Sequence, residues 1–184
     1  NNTTFVFMSG RVGRRVGFFK TCNLNTRACR TSTWRDRNHI TRTSHRISVT
    51  SDASLVYFTD SRTGGNLVGY TLAPNGGAYQ LGTQTRRCEA VNNPNLQTQM
   101  MYASNVQVSP ENDNIIYITS HINHAIQKLQ WTGTACAVVT SVGTGNQAFA
   151  RNTGTAGDLD ANAVGFSGPW GLNAVSYTHL TLPT

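Results

Sequence analysis

The sequence predicts an all-β fold built from repeated four-stranded antiparallel sheets, and three observations predict it. The chain of 184 residues is 38% hydrophobic but only 12% charged. Gly, Thr, Asn and Ser are abundant, a composition that suits short strands joined by turns rather than long helices. Its apolar runs do not alternate: "LVYF" at 55–58 and "IIYI" at 115–118 are apolar at odd and even positions alike. Both faces of such strands must be covered. The runs also recur, with Tyr57 and Tyr117 in matching places 60 positions apart.

The first copy of the repeat runs from Ile47 to Leu72 and the second from Val106 to Gln130. Each opens with an apolar–polar–apolar triplet, Ile47-Ser48-Val49 and Val106-Gln107-Val108. Each turns through a polar cluster, "TSDAS" or "SPENDN", and continues as the compact apolar run "LVYFT" or "IIYIT". After a break at small polar residues, a more mixed strand follows. In "AIQKLQW", Ala125, Gln127, Leu129 and Trp131 share one side, and Ile126, Lys128 and Gln130 the other. An inner strand covered on both sides and mixed strands further out form the pattern of sheets stacked around an axis. The expected fold class is therefore all-β, with β-propeller blades of four-stranded antiparallel sheets in an incomplete ring.

"VVTSVGTGN" at 138–146 and "GTAGDLDANAVGFSGPWGLN" at 154–173 add a junction pattern. A strand ends in a Gly-rich turn, and an acidic-small loop, a Phe, Pro-x-Gly and a new strand follow. Through Gly143, Gly145, Gly157, Asp158, Ala163, Phe166, Pro169, Gly171 and Leu172, this resembles the blade junction of NHL-repeat β-propellers, and Leu172 then plays the part of Ile47 and Val106. The resemblance covers about residues 47–173. The spacing of 60 exceeds the roughly 40–50 residues of one propeller blade. The excess is assigned to an insertion loop, "TRRCEAVNNPNLQTQMMYAS", that holds Cys88.

The chain divides accordingly. Residues 1–45 are a basic Arg-rich segment, read as a degenerate blade or a cap. Residues 46–103 are one blade-like repeat with its insertion loop, and 104–168 a second. Residues 169–174 start a further blade. Residues 175–184, "VSYTHLTLPT", resemble a translated sequencing-adaptor read-through, which makes the chain a fragment whose true C-terminus lies elsewhere.

The net charge of +7 is unevenly spread. Residues 1–46 hold nine Arg and one Lys against the single acid Asp36, whereas 47–184 are slightly acidic. A basic arm suits nucleic acid or an acidic polysaccharide. No recognised DNA or RNA module accompanies this one, and Arg outnumbers Lys throughout, so it is read as solvated surface. No stretch is long and apolar enough to span a membrane. Four cysteines, Cys22, Cys29, Cys88 and Cys136, form no CxxC pair and have no histidines at zinc-finger spacing. Their even number suggests disulfides in an oxidising compartment, with the pairing left open. "NNTT" offers overlapping glycan acceptor sequons at Asn1 and Asn2.

Candidate chemistry yields to simpler explanations. Asp158-x-Asp160-x-Asn162 starts like an EF-hand loop, but Ala163 stands where that loop needs Gly, and Pro169 where it needs Glu. The series is read as a turn. His121 and His124 sit in a strand–turn–strand context, where spacing by three does not make a metal face. His39 and His45 have no companion ligands. "GTGNQAF" lacks the third Gly of a dinucleotide fingerprint, and no nucleophile elbow appears. Trp34, Trp131 and Trp170 are candidates for sugar stacking, with packing the preferred role. No catalytic residue, cofactor or metal is assigned.

The expected function is a non-catalytic binding or scaffolding module of a secreted or cell-surface protein, with a protein or glycan partner met by loops. The alternatives are a structural subunit of an extracellular fibre, formed by self-assembly of blades, and a fragment of a propeller lyase or hydrolase.

Overall fold

A computed structural model of the chain describes residues 4–12, 16–35, 46–60, 65–90, 100, 102–143 and 166–174. Among the described residues all regular structure is β, in three antiparallel sheets, and no helix is long and apolar enough to cross a membrane. The first sheet holds β1 (Phe5–Val12), β2 (Val16–Asn23) and β3 (Cys29–Arg35). The second holds β4 (Ile47–Val49), β5 (Leu55–Asp60), β6 (Asn66–Asn75) and β7 (Ala78–Cys88). The third holds β8 (Asn105–Val108), β9 (Ile115–Ser120), β10 (Ala125–Trp131) and β11 (Cys136–Val142). In each sheet the strands lie side by side in chain order, as a meander. The second and third are four-stranded, propeller-type blades, and the three sheets stack without closing a ring.

The repeat is structural as well as sequential. Ser48 pairs with Tyr57 in the second sheet, and Gln107 with Tyr117 in the third. The two tyrosines therefore hold the same register position.

The two-sided apolar pattern of β5 has its cause in the packing. Val56 and Phe58 point into one core with Phe19 of the first sheet. Tyr57 points the other way, into a second core with Ile116, Ile118 and Leu129 of the third sheet. Tyr57 and Phe58 are both 0% exposed. Each such burial is worth about 1.5–3 kcal/mol, and a strand open on one side would forfeit half of it. Ile116 and Ile118 face backward onto the second sheet, as Val56 and Phe58 face backward onto the first.

Residues 5–35 follow the same plan. Phe7 packs against the core beneath the second sheet, the forward-facing position that Tyr57 holds one sheet later. Met8, its backward-facing neighbour, is 39% exposed. The first sheet is seated by polar contacts as well. The Thr21 hydroxyl donates to the Tyr79 carbonyl at 2.6 Å and accepts from the Tyr79 N–H at 2.9 Å, and Ser32 Oγ accepts from the Leu81 N–H at 3.1 Å.

Three hydrogen bonds tie the second sheet to the third near their innermost strands. Ser48 Oγ accepts from the Val108 N–H at 2.8 Å. Both carboxylate oxygens of Asp113 accept from Ser51, from its N–H at 2.9 Å and its hydroxyl at 3.1 Å. Further out, β7 runs through Cys88, so the first four residues of the expected insertion loop, 85–88, belong to a strand.

Candidate binding surface at the blade joint

After β9 the chain reverses through His121–His124 and returns as β10. His124 closes this turn in the left-handed region, with φ 49°, which hydrogen bonding at a tight turn makes tolerable for a non-glycine residue. Behind it lies Gly143, with φ 122°. A Cβ on Gly143 would meet the His124 carbonyl oxygen at 2.5 Å and the Ala125 Cα at 2.9 Å, so only glycine allows this approach.

Both histidines hold the segment 166–174. His124 Nδ1 accepts from the Gly168 N–H at 2.9 Å. The imidazole of His121 stacks on the Trp170 ring, with centroids 4.2 Å apart and planes 22° from parallel. The edge of Tyr102 meets His121 from another side at 6.0 Å. Nδ1 of His121 is hydrogen-bonded to the Ser104 hydroxyl, which also accepts from the His121 backbone N–H at 3.0 Å. Asn105 Nδ2 completes the dock by donating to the Trp170 carbonyl at 3.1 Å.

The result is an aromatic ring backed by His121 and otherwise open to solvent. Trp170 is 53% exposed, and Ile122, next to His121, is also exposed. An indole so placed offers a flat, exposed π-surface, which is what the C–H face of a sugar ring or an apolar side chain needs from a binding platform.

Along the same segment lies a cleft of about 370 Å³, lined by Ser109, Pro110, Glu111, Tyr117, Leu172, Asn173 and Ala174. Tyr117, one of the lining residues, is half-buried. Glu111 is its one ionisable carboxylate.

The remaining predicted residues fall as follows. Cys22 pairs with Cys29 within the first sheet, and Cys88 with Cys136 between β7 and β11. All four cysteines are thus oxidised, as suits an oxidising compartment. Trp131 is half-buried beside the core between the second and third sheets. Trp34 lies on β3. Asn1 and Asn2, His39 and His45, and Asp158, Asp160 and Asn162 lie outside the described residues. Among the described residues no three His, Cys, Asp or Glu side chains group to hold a metal ion.

Arg86, Tyr57 and Asp113 form a contact between sheets that the residue pattern did not reveal. The only cue was an arginine pair, Arg86-Arg87, beside a cysteine. No protein-family model matches the chain, and no curated protein matches it.

Proposed function

We propose that the chain is part of a non-catalytic binding or scaffolding module in a secreted, NHL-like β-propeller protein. Its partner is a glycan or protein met by the loops at the Trp170 end of the blades. The observation that carries this is the half-exposed Trp170, backed by His121 and pinned through its carbonyl by Asn105. The two disulfides support placing it outside the cell, where such bonds persist.

Titration of the protein with a panel of neutral and acidic oligosaccharides, followed by tryptophan fluorescence, tests the proposal. Saturable binding that Trp170→Ala weakens at least tenfold is the expected result, with the β-type circular dichroism of the variant unchanged. Binding that survives Trp170→Ala, or no binding to any sugar or peptide offered, sinks it. Self-assembly is a second reading, favoured by β4, whose Ile47 and Val49 are only half-buried.

A further inference from the structure

His121 and His124 both hold the segment 166–174, yet they use their rings differently. The Ser104 hydroxyl that meets Nδ1 of His121 can donate to a bare nitrogen or accept from a protonated one. That bond survives a change of charge. The stack on Trp170 survives it too, since a cation over an indole face is attracted to it. His124 has no such latitude. Its Nδ1 accepts from the Gly168 N–H at 2.9 Å, and a backbone N–H can only donate. The nitrogen facing it must therefore carry a bare lone pair. A flipped ring would put a carbon there, and a proton on Nδ1 would set donor against donor.

Among the described residues nothing around the turn relieves that conflict. The His124 backbone is fixed by its left-handed φ of 49° and by the close approach of Gly143 to its carbonyl oxygen. Gly168 is itself left-handed, with φ 57°, so a tight turn sets the direction of its N–H. The described elements around the ring are residues 102–105, which lead into β8, then β9, β10, the end of β11 and the segment 166–174. Their titratable groups are His121 in the same turn, Tyr102, Tyr117 on β9 and Lys128 on β10. None is a carboxylate, so no anion in these elements stands ready to hold an imidazolium in the docked position. His124 is half-buried rather than sealed, so the ring exchanges protons with solvent.

A proton and the Gly168 N–H thus compete for one lone pair. Histidine is the side chain whose charge ordinarily changes between about pH 5 and pH 8. We propose that the Trp170 platform is gated by protons: uptake of a proton at Nδ1 of His124 breaks the bond to Gly168 and loosens the segment 166–174 from the β9–β10 turn. Trp170 is then left with the His121 stack and the Asn105 bond. A ligand must order the segment as well as bind it, which weakens binding. As regulation of binding, this rests on the platform reading above; the loosening of the segment does not.

Amide exchange at Gly168, followed by NMR on the full chain and corrected for the intrinsic pH dependence of exchange, is the test. The protection factor is expected to fall at least about tenfold between about pH 7.5 and pH 5.5. In His124→Asn it is expected to stay within about twofold. The asparagine carbonyl oxygen stands in for Nδ1 as acceptor, takes no proton in this range and tolerates the left-handed turn. Unchanged protection in the wild type overturns the proposal. So does an equal fall in His124→Asn, which would make another group the sensor. Should that variant fail to fold, the nitrogen-15 shifts of the wild-type His124 ring decide. At neutral pH Nδ1 must be bare with the proton on Nε2, and a proton on Nδ1 there overturns the gate. An oligosaccharide found to bind through Trp170 should bind at least about tenfold more weakly at the lower pH. Gly168 protection that responds to pH in a protein binding no sugar or peptide refutes the binding proposal alone. Trp170-dependent binding of equal strength at both pH values refutes this inference alone.

Discussion

Arg86 donates a hydrogen bond to the buried hydroxyl of Tyr57 at 2.6 Å, and its guanidinium lies over two rings, 5.9 Å from the centroid of Tyr57 and 5.4 Å from that of Trp131. It thereby joins the outer strand of the second sheet to the third. Gly69 makes room for it: a Cβ there would come within 3.1 Å of the Tyr57 ring and 3.0 Å of the Arg86 Cβ. Removing the arginine leaves a buried phenol without its partner, which costs about 1–3 kcal/mol, with cation–π attraction lost in addition. Arg86→Met is expected to destabilise by at least that amount. Tyr57→Phe removes the hydroxyl but leaves the part-buried Arg86 its contact with the Asp113 carbonyl at 3.4 Å, and is expected to cost less, about 0.5–1.5 kcal/mol. A double-mutant cycle in urea measures the coupling; additive losses would mean the bond contributes nothing.

The same tyrosine sets an alkaline limit. Burial pushes its phenol above the usual value, and the charge and hydrogen bond of Arg86 only partly oppose this. The folded state thus holds the proton more tightly than the unfolded chain. The stability this confers is complete below the unfolded value of about 10 and is lost as pH rises through the folded one. Urea midpoints measured from pH 8 to pH 11 should fall more steeply for the wild type than for Tyr57→Phe. Parallel curves would show that Tyr57 ionises as freely in the fold as outside it.

Much of this architecture is legible in the residues because burial on two faces leaves a mark that burial on one does not. The runs at 55–58 and 115–118 could not be apolar at every position and still border water, so the stacking of sheets followed from them. The first sheet was harder to see. "FVFMSG" in β1 has the same form as "LVYFTD" in β5 and "IIYITS" in β9. It stands 50 rather than 60 positions from its neighbour and is followed by an arginine-rich stretch that hides the period. The pairing of Cys88 with Cys136 and the role of Arg86 were hidden for another reason. Both depend on which outer strands become neighbours across sheets, and no spacing along the chain encodes that.

The two disulfides should differ in worth. In the chain-entropy account the stabilisation grows with the loop enclosed, giving about 4 kcal/mol for the 48-residue separation of Cys88–Cys136 and about 2 kcal/mol for the 7-residue separation of Cys22–Cys29. The longer bond also joins two sheets, whereas the shorter closes a hairpin already held by β2–β3 pairing. Paired Cys→Ser variants, compared by thermal and urea unfolding, should rank in that order. A hairpin bond found to be the more important of the two would refute the ranking.

The stacking of sheets makes a prediction at adjacent positions of one strand. In a sheet with one wet face, truncation at successive residues alternates between costly and nearly free. In β5 it should be costly at every position from 56 to 58, since Val56 and Phe58 fill one core and Tyr57 the other. Phe58→Ala is expected to cost about 3–5 kcal/mol, and Ile118→Ala, its counterpart in β9, about 2–5 kcal/mol. Tyr57→Ala should cost as much as Phe58→Ala although its side chain points the opposite way. Val49→Ala, on the half-covered inner strand, should cost distinctly less. Urea midpoints for these four variants decide the matter: if either Tyr57→Ala or Phe58→Ala loses under about 1 kcal/mol, a level typical of surface sites, one side of β5 faces water and the stack of blades is wrong.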